Sequence, residues 1–317
     1  MTLKRSGQPP YAFAYRDDLR TLPPSVLESE VDLHGGFASD KRRGFGHLYY
    51  GMPGQGILRI DPDLKAQELI RLPDSLTPLN FHSTKLGAFD GKQRLFLAAN
   101  NDAMVAVVSL EGEVDFTLPR PEFEGYRDQS APFNPTDTVL VGNRLYVADG
   151  YGSNYITTAD VTTKTWSDIF GGKTEDPNED GKFATAHGIN RSPTAAHLVI
   201  ADRPSSRIQE HDLDGRFLAS HKLPAGSWPC GIDYIEHDGR WLAVVGSLVD
   251  PQEGRPAPIY ILDGSTFEVL STIRPKEELG LEPVQHLHNV VWHVQDGQLY
   301  LICQAWNPGY YFVLQQA

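Results

Sequence analysis

Three histidines occupy the same place in a repeating strand pattern, and their residue type and spacing suit a metal centre. They are His82, His187 and His288, which are 105 and 101 residues apart. The strand pattern returns about twice as often as these histidines, so each falls on every second repeat. In a closed ring of repeats, three neutral imidazoles placed this way supply the nitrogen ligands of an open tetrahedral zinc site.

The repeats that position these histidines number six, and each has strand and turn patterns of similar length. The slot is filled in turn by His34, His82, Asp137, His187, Cys230 and His288, at intervals of 43 to 58 residues. The middle strands of the units are predicted at 48–50, 95–97, 145–147, 198–200, 241–244 and 299–302. Four short strands in a unit of this length are typical of a propeller blade. The sequence therefore predicts an all-β, six-bladed β-propeller.

The even repetition, without a linker, predicts a single propeller domain over residues 1–317. Residues 1–30 form an N-terminal extension able to complete the last blade, with a strand at 11–15 beside residues 310–314. The 29 glycines and 23 prolines suit the many turns of such a fold. We expect the aromatic run 306–311 to close the last blade rather than to bind a ligand.

Charge and composition exclude several classes of partner. The net charge is −13 and the pI is near 5.2, which disfavours nucleic acid and anionic membranes. No apolar run approaches the roughly 20 residues of a membrane span, and residues 1–5 lack an apolar signal core. Cys230 and Cys303 are too few for a disulfide framework. We expect a cytoplasmic protein whose partner is a small-molecule substrate, and no oligomeric state is predicted.

The slots between the three histidines hold residues with less certain chemistry. His34, Asp137 and Cys230 are candidates for supporting the ligands, for acting as alternative ligands, for binding substrate or for packing alone. Asp137 is favoured as a partner that orients a ligating histidine, since carboxylates commonly do this. Cys230 is expected to be a small buried residue, and His34 receives no specific role.

Four segments resemble the lyase domain of peptidylglycine α-amidating enzymes (peptidyl-α-hydroxyglycine α-amidating lyase). They are Asn-Pro-Thr-Asp at 134–137, Val-Ala-Asp-Gly-Tyr-Gly-Ser-Asn at 147–154, Ala-His-Gly-Ile at 186–189 and Ala-Asp-Arg-Pro-Ser-Ser-Arg-Ile-Gln at 201–209. The likeness runs from the second unit to the start of the sixth. It implies a propeller of NHL-type repeats in which His82, His187 and His288 hold zinc. It also implies that Tyr151 is the catalytic base and Arg203 its active-site arginine. The family reaction breaks the C–N bond of an N-acyl α-hydroxyglycine and releases an amide and glyoxylate.

The chemistry of these two residues is consistent with the resemblance. A tyrosine has an unperturbed pKa near 10, so it acts as a base only where positive charge stabilises its phenolate. Both Zn²⁺ and Arg203 supply such charge, and the metal also polarises the substrate oxygen. Asp149 and Asp202 repeat from blade to blade, and we expect them to cap turns.

The chain departs from the family at several positions. The family has a second arginine after the middle strand of blade one, where residues 47–53 here contain none. His286 replaces a methionine, and Asn289 replaces an aspartate tied to a structural calcium, so structural Ca²⁺ is not expected. Asn134 and Gly152 stand where paired cysteines belong. These changes indicate altered specificity in a relative without disulfides.

Three functional hypotheses follow. The first is a zinc-dependent lyase acting on a small hydroxylated substrate, although another divalent metal also suits imidazole ligands. The second is a hydrolase or hydratase in which a metal-bound hydroxide acts at the same histidines, assisted by His34, His286 or Asp137. The third is a non-catalytic NHL propeller that presents a face to protein partners, because fold does not dictate function.

Overall fold

The computed structural model describes residues 4–27 and 34–317. It consists of six four-stranded antiparallel sheets that are arranged as the blades of a propeller. The predicted all-β, six-bladed architecture is therefore confirmed. The predicted middle strands each lie inside the second strand of their blade. The predicted extension at residues 1–30 is described only over residues 4–27.

The blades follow one another along the chain, and their strands are numbered in chain order. Blade one contains β2 (Phe37–Ser39), β3 (Leu48–Met52), β4 (Gly56–Ile60) and β5 (Gln67–Ile70). Blade two contains β6 (Phe81–Phe89), β7 (Lys92–Ala99), β8 (Met104–Val108) and β9 (Val114–Pro119). Blade three contains β10 (Asp137–Val141), β11 (Arg144–Ala148), β12 (Tyr155–Asp160) and β13 (Thr165–Gly171).

The second half of the chain repeats this order. Blade four contains β14 (Ala186–Arg191), β15 (His197–Asp202), β16 (Arg207–Asp212) and β17 (Phe217–Lys222). Blade five contains β18 (Asp233–His237), β19 (Arg240–Gly246), β20 (Ile259–Asp263) and β21 (Val269–Ile273). Blade six contains β22 (Leu287–Gln295), β23 (Gln298–Ala305), β24 (Tyr310–Gln316) and the N-terminal strand β1 (Phe13–Tyr15).

The last blade joins the two ends of the chain. Strand β1 pairs antiparallel with β24, so that Phe13 lies opposite Gln316 and Tyr15 lies opposite Leu314. Within the described residues, the remaining regular structure is short: helices at Pro24–Leu27 and Pro275–Leu279, and 3₁₀ turns at Asp17–Leu19 and Glu124–Tyr126. In the part of the chain that is described, no helix has the length and apolarity to cross a bilayer.

The apolar core lies between neighbouring blades. The middle strands carry runs of Leu, Val, Ile and aromatic residues because both of their faces are covered by adjacent blades. Trp292 and Phe312, for example, are fully buried in the cluster that joins blades five and six. Cys230 and Cys303 are both buried and free. This packing fixes the inner strands, and with them the residues that line the central channel.

Candidate metal centre

The three channel histidines lie on the inner strands of blades two, four and six, each at the second residue of its strand. His82, His187 and His288 each coincide with a register shift between the inner strand and its neighbour. Each shift leaves the histidine without an opposing residue, which is the pattern of a β-bulge. The inner strands of blades one, three and five pair with their neighbours without such a shift. A bulge re-aims a side chain, so three equivalent bulges turn three imidazoles toward one axis.

A shared hydrogen-bond pattern fixes the orientation of the three rings. In each ring Nδ1 donates to a backbone carbonyl of the following blade: His82 to Thr136 O at 2.7 Å, His288 to Gly35 O at 3.2 Å and His187 to Cys230 O. The proton at Nδ1 leaves the lone pair at Nε2, which is the tautomer that binds a metal.

The free Nε2 atoms converge. The ring centroids lie 4.6 Å apart for His82 and His288, 4.7 Å for His82 and His187, and 5.1 Å for His187 and His288. Nε2 of His82 lies only 3.0 Å from Nε2 of His288. With both Nδ1 atoms protonated, two lone pairs face each other across this distance, which is unfavourable unless a cation lies between them. Ligands of a tetrahedral zinc ion stand at about 2.0–2.1 Å from the metal, so the donor set fits such an ion.

The burial of the three rings keeps them neutral. All three are at most 3 % exposed. Desolvation lowers the pKa of His82, His187 and His288 well below the ordinary value, and the nearby Arg203 guanidinium lowers it further. Neutral imidazoles are the form that ligates a divalent ion.

The glycine that follows the second histidine is required by the close approach of two blades. A Cβ added at Gly188 would lie 2.5 Å from both the carbonyl oxygen of Cys230 and Cα of Gly231. We expect Gly188→Ala to lower the free energy of unfolding by about 1–3 kcal/mol, because backbone on the facing blade must move. Gly231→Ala is the matched control, since its Cβ would meet only Asn289 Nδ2 at 3.7 Å. Urea denaturation of both variants measures the difference, and equal stabilities would contradict the explanation.

Tyr151 projects its hydroxyl into the histidine cluster from the turn after β11. The oxygen lies 3.0 Å from Nε2 of His187 and 3.3 Å from Nε2 of His82. Although 37 % of the residue is exposed at the mouth of the channel, the hydroxyl is enclosed by these rings and by Arg203. The phenol is therefore adjacent to any ion held by the three histidines.

Arg203 is a buried cation beside this phenol. Its Nη1 donates to the Tyr151 hydroxyl at 2.7 Å and its Nη2 donates to the sulfur of Cys230 at 3.2 Å. The residue is 5 % exposed, and among residues 4–27 and 34–317 no carboxylate pairs with it and its Nε has no partner. A buried guanidinium without a counter-charge is costly, which indicates that an anion belongs next to it.

The electrostatics of Tyr151 give a testable titration. Burial raises the pKa of Tyr151, and the Arg203 guanidinium opposes this by favouring the phenolate. A divalent cation at the histidines adds positive charge, so we expect Zn²⁺ to move the titration of this phenol to lower pH. Ultraviolet difference titration with and without Zn²⁺ measures the shift, and Tyr151→Phe should abolish it. If the titration of Tyr151 were the same with and without Zn²⁺, the ion would not lie close to the phenol.

His34 joins the cluster as a fourth histidine, at the blade-one slot that received no specific role. Its ring centroid lies 4.8 Å from those of both His82 and His288, and donor atoms of these three residues lie within 4.8 Å of one another. Its Nδ1, however, is 3.3 Å from the amide nitrogen of Asn80 rather than from a carbonyl. His34 thus lacks the orienting bond to a backbone carbonyl that the other three histidines have.

A cavity of about 200 Å³ opens above the cluster. Its walls carry a phenol, a guanidinium, imidazoles and apolar side chains. They are His34, Tyr151, Arg203, Leu248, His288 and Trp306. Trp306 lies in the turn between β23 and β24 and lines this cavity, a position that was not part of the expectation that the aromatic run closes the last blade. Tyr310–Gln316 does form the strand that closes it.

Asp137 does not orient a metal-site histidine. Its carboxylate pairs with Lys85 at 3.1 Å and accepts from the backbone N–H of Ile189 at 3.0 Å. The preceding residue, Thr136, supplies the acceptor for His82 through its carbonyl. The expected carboxylate partner is therefore wrong, because the backbone of the next blade already fills that position.

The other three candidates, Asn289, His286 and Cys230, have different contacts. Asn289 accepts from the backbone N–H of Phe37 at 3.0 Å and so ties blade six to blade one. His286 turns away from the cluster, with Nδ1 donating to Leu248 O at 2.9 Å. Cys230 faces Arg203 as well as donating to Leu287 O at 3.3 Å. Only Cys230 therefore contacts the residues around the phenol.

The two repeated aspartates anchor the turns that carry Tyr151 and Arg203. Asp149 accepts from Asn134 N at 2.6 Å and Ser153 N at 2.7 Å. Asp202 accepts from Ala184 N at 2.9 Å and pairs with Arg207 at 2.9 Å. These contacts agree with the turn-capping role.

Hydrogen bonds link Asn134 to Tyr151, next to the two positions where the resemblance led us to expect cysteines. The N–H of Tyr151 donates to Asn134 O at 3.3 Å, and Asn134 Nδ2 donates to Tyr151 O at 3.3 Å. Gly152 leaves room for the Asp149 carboxylate, since a Cβ there would lie 2.1 Å from Asp149 Oδ1. The turn is therefore held by a carboxylate and amides in place of two cysteines.

Comparison with known proteins supports the fold. No protein-family model and no curated protein matches the sequence. Among solved structures, the chain is similar to a gluconolactonase from Xanthomonas campestris, with a TM-score of 0.60, 12% identity and coverage of 100% of this chain and 95% of that one. A streptogramin B lyase has a TM-score of 0.52 at 12% identity, with 89% of this chain and 93% of that chain covered. A member of a domain family of unknown function (DUF4221) from Bacteroides vulgatus has a TM-score of 0.55 at 11% identity, with 90% and 92% covered. At these identities the comparisons establish that the chain is a six-bladed β-propeller.

Proposed function

We propose that this protein is a metal-dependent lyase that cleaves the C–N bond of a small hydroxylated substrate. In this proposal His82, His187 and His288 hold the ion, Tyr151 is the general base and Arg203 stabilises its phenolate. Zinc is the proposed ion because three neutral imidazoles with one open position suit it. The proposal follows the resemblance to peptidyl-α-hydroxyglycine α-amidating lyases, and two propeller neighbours named as a lactonase and a lyase are consistent with it.

The placement of the Tyr151 hydroxyl carries the proposal. One phenolic oxygen lies within 3.3 Å of Nε2 in two channel histidines and 2.7 Å from a buried guanidinium. A tyrosine with a purely structural role needs only one hydrogen-bond partner and does not require a buried, unpaired cation beside it. The same contacts suit a base that must exist as a phenolate during the reaction.

Tyr151 and Arg203 have separate roles in the proposed elimination. A bound divalent ion supplies Lewis acidity toward the substrate hydroxyl. Tyr151 takes the hydroxyl proton, the oxygen–carbon bond becomes a carbonyl, and the electron pair of the C–N bond leaves with the nitrogen. Tyr151 then returns this proton to the nitrogen, which departs as a neutral amide, so Tyr151 is a phenolate again and the proton count is balanced. Arg203 holds the phenolate form of Tyr151 before this transfer and keeps the phenol in place after it.

Release of glyoxylate tests the proposal. Zinc-loaded protein is incubated with N-acyl α-hydroxyglycines, and both the amide and glyoxylate are measured. We expect turnover that requires the ion and yields the two products in equal amounts. Metal-loaded protein that releases neither product from a panel of acyl groups would contradict the lyase assignment.

Hydrolysis or hydration at the same histidines is the alternative function. Among the described residues that line the cavity, Arg203 is the single arginine. It already donates to Tyr151 and Cys230, so these residues offer no second guanidinium for a substrate carboxylate. This observation favours a neutral substrate such as a lactone over a hydroxyglycine. Turnover in ¹⁸O-labelled water separates the two when carboxylate and amide products are compared, because hydrolysis places solvent oxygen in a new carboxylate and elimination leaves the amide unlabelled. The aldehyde oxygen of glyoxylate exchanges with water in either case and is not used.

A further inference from the structure

His34 stands across the cavity from the proposed base. Tyr151 contacts His82 and His187, whereas the ring of His34 contacts those of His82 and His288 and lies 5.5 Å from Trp306. A substrate seated above the cluster therefore lies between the phenol and this fourth imidazole. The part of the substrate that faces His34 is the part opposite the hydroxyl that Tyr151 deprotonates.

The hydrogen bonds around Asn80 assign the tautomer of His34. Asn80 Nδ2 lies 3.0 Å from Asn100 Oδ1 and 3.3 Å from His34 Nδ1, so one amide group donates to both. Nδ1 of His34 is then an acceptor, and a neutral ring must carry its proton at Nε2. The three proposed ligands have the opposite tautomer, with the proton at Nδ1.

The protonated Nε2 of His34 is available to bind a ligand. Within residues 4–27 and 34–317, Nε2 of His34 has no hydrogen-bond partner, and the half-buried ring lines the cavity. A nitrogen that carries hydrogen has no lone pair for a metal, which separates His34 from the proposed ligands. The Nε2–H group of His34 is instead a hydrogen-bond donor on a ring that lines the cavity.

We propose that His34 donates a hydrogen bond from Nε2 to the carbonyl oxygen of the leaving amide. This inference rests on the proposed lyase function and adds a residue that touches the substrate. As the C–N bond breaks, negative charge spreads from the nitrogen onto the acyl oxygen. A donor already in place stabilises that charge without reorganising. His34 keeps its proton throughout, so the balance of the elimination is unchanged.

Changing the leaving amide tests the proposed hydrogen bond from His34. His34→Leu removes the donor, and His34→Gln retains an N–H donor of similar reach. With N-acetyl α-hydroxyglycine we expect turnover to fall by about 100-fold in the leucine variant and far less in the glutamine variant. With N-trifluoroacetyl α-hydroxyglycine, whose amide leaves more easily, the loss in the leucine variant should be smaller. An equal loss with both substrates would overturn the proposal.

Two measurements without substrate keep the test independent of the lyase function. Zinc stoichiometry should be the same in wild type, His34→Leu and His34→Gln, and a fall in His34→Leu would make His34 a ligand instead. In ¹⁵N NMR of the zinc-loaded protein, His34 should show hydrogen on Nε2 and none on Nδ1. The reverse tautomer would contradict the donor role, whereas absence of turnover with the expected tautomer would contradict only the lyase function.

Discussion

Replacing Tyr151 with phenylalanine is expected to reduce turnover by about 10²–10⁴-fold while the metal stays bound. The variant removes only the hydroxyl that lies between the two histidine Nε2 atoms and Arg203. Because the three imidazoles keep their own orienting bonds to backbone carbonyls, metal affinity should change little. Initial rates and metal content are measured on the same preparation.

Tyr146→Phe is the control for this substitution. Its hydroxyl donates to Leu213 O at 2.8 Å, away from the cavity, so its removal should leave turnover unchanged. If Tyr151→Phe retained nearly full activity, another group would have to be the base. The lyase mechanism proposed for this site would then be wrong.

Replacing His187 with alanine is expected to have the second large effect, on metal binding. Loss of a supporting partner typically lowers metal affinity 10–100-fold, so we expect loss of a ligand to lower it by more than about 100-fold. Competition with a chromophoric chelator measures the affinity, and turnover should fall with the bound metal. The variant also leaves the carbonyl of Cys230 without its donor, so circular dichroism and a thermal melt must accompany the measurement.

His237→Ala is the matched control, because this histidine lies at the end of β18 and pairs with Asp238 outside the channel. It should bind metal as the wild type does. If His187→Ala instead kept its metal, and His34→Leu lost it, the ligand set would be His34, His82 and His288. That result would exclude His187 as the third ligand.

The architecture was predictable from sequence because each blade repeats the same strand and turn pattern. The slot shared by His82, His187 and His288 followed from that period, and the structure brings these residues together. The bulges were not predictable, because one unpaired residue in a strand leaves no mark in the apolar pattern. Yet the bulges help to explain why the imidazoles at these three slots share one orientation toward the axis.

The prediction for Asp137 failed for a related reason. Sequence reasoning can match a carboxylate to a histidine, but it does not show that the backbone carbonyl one residue earlier already accepts the same proton. The positions of His34 and Trp306 in the cavity were likewise not predictable, because they depend on how two separate connecting segments fold. The donor role of Asn80 toward His34 depends on two side chains whose contact no spacing in the sequence indicates.

X-ray absorption spectroscopy of protein purified without chelator or histidine tag tests the metal centre most directly. We predict one divalent ion per chain, bound by three imidazole nitrogens at roughly 2.0–2.1 Å if the ion is zinc. The coordination should lose one imidazole in His187→Ala and none in His34→Leu. Purified protein that is folded but binds no stoichiometric ion even after zinc is added would contradict the account and favour a non-catalytic propeller.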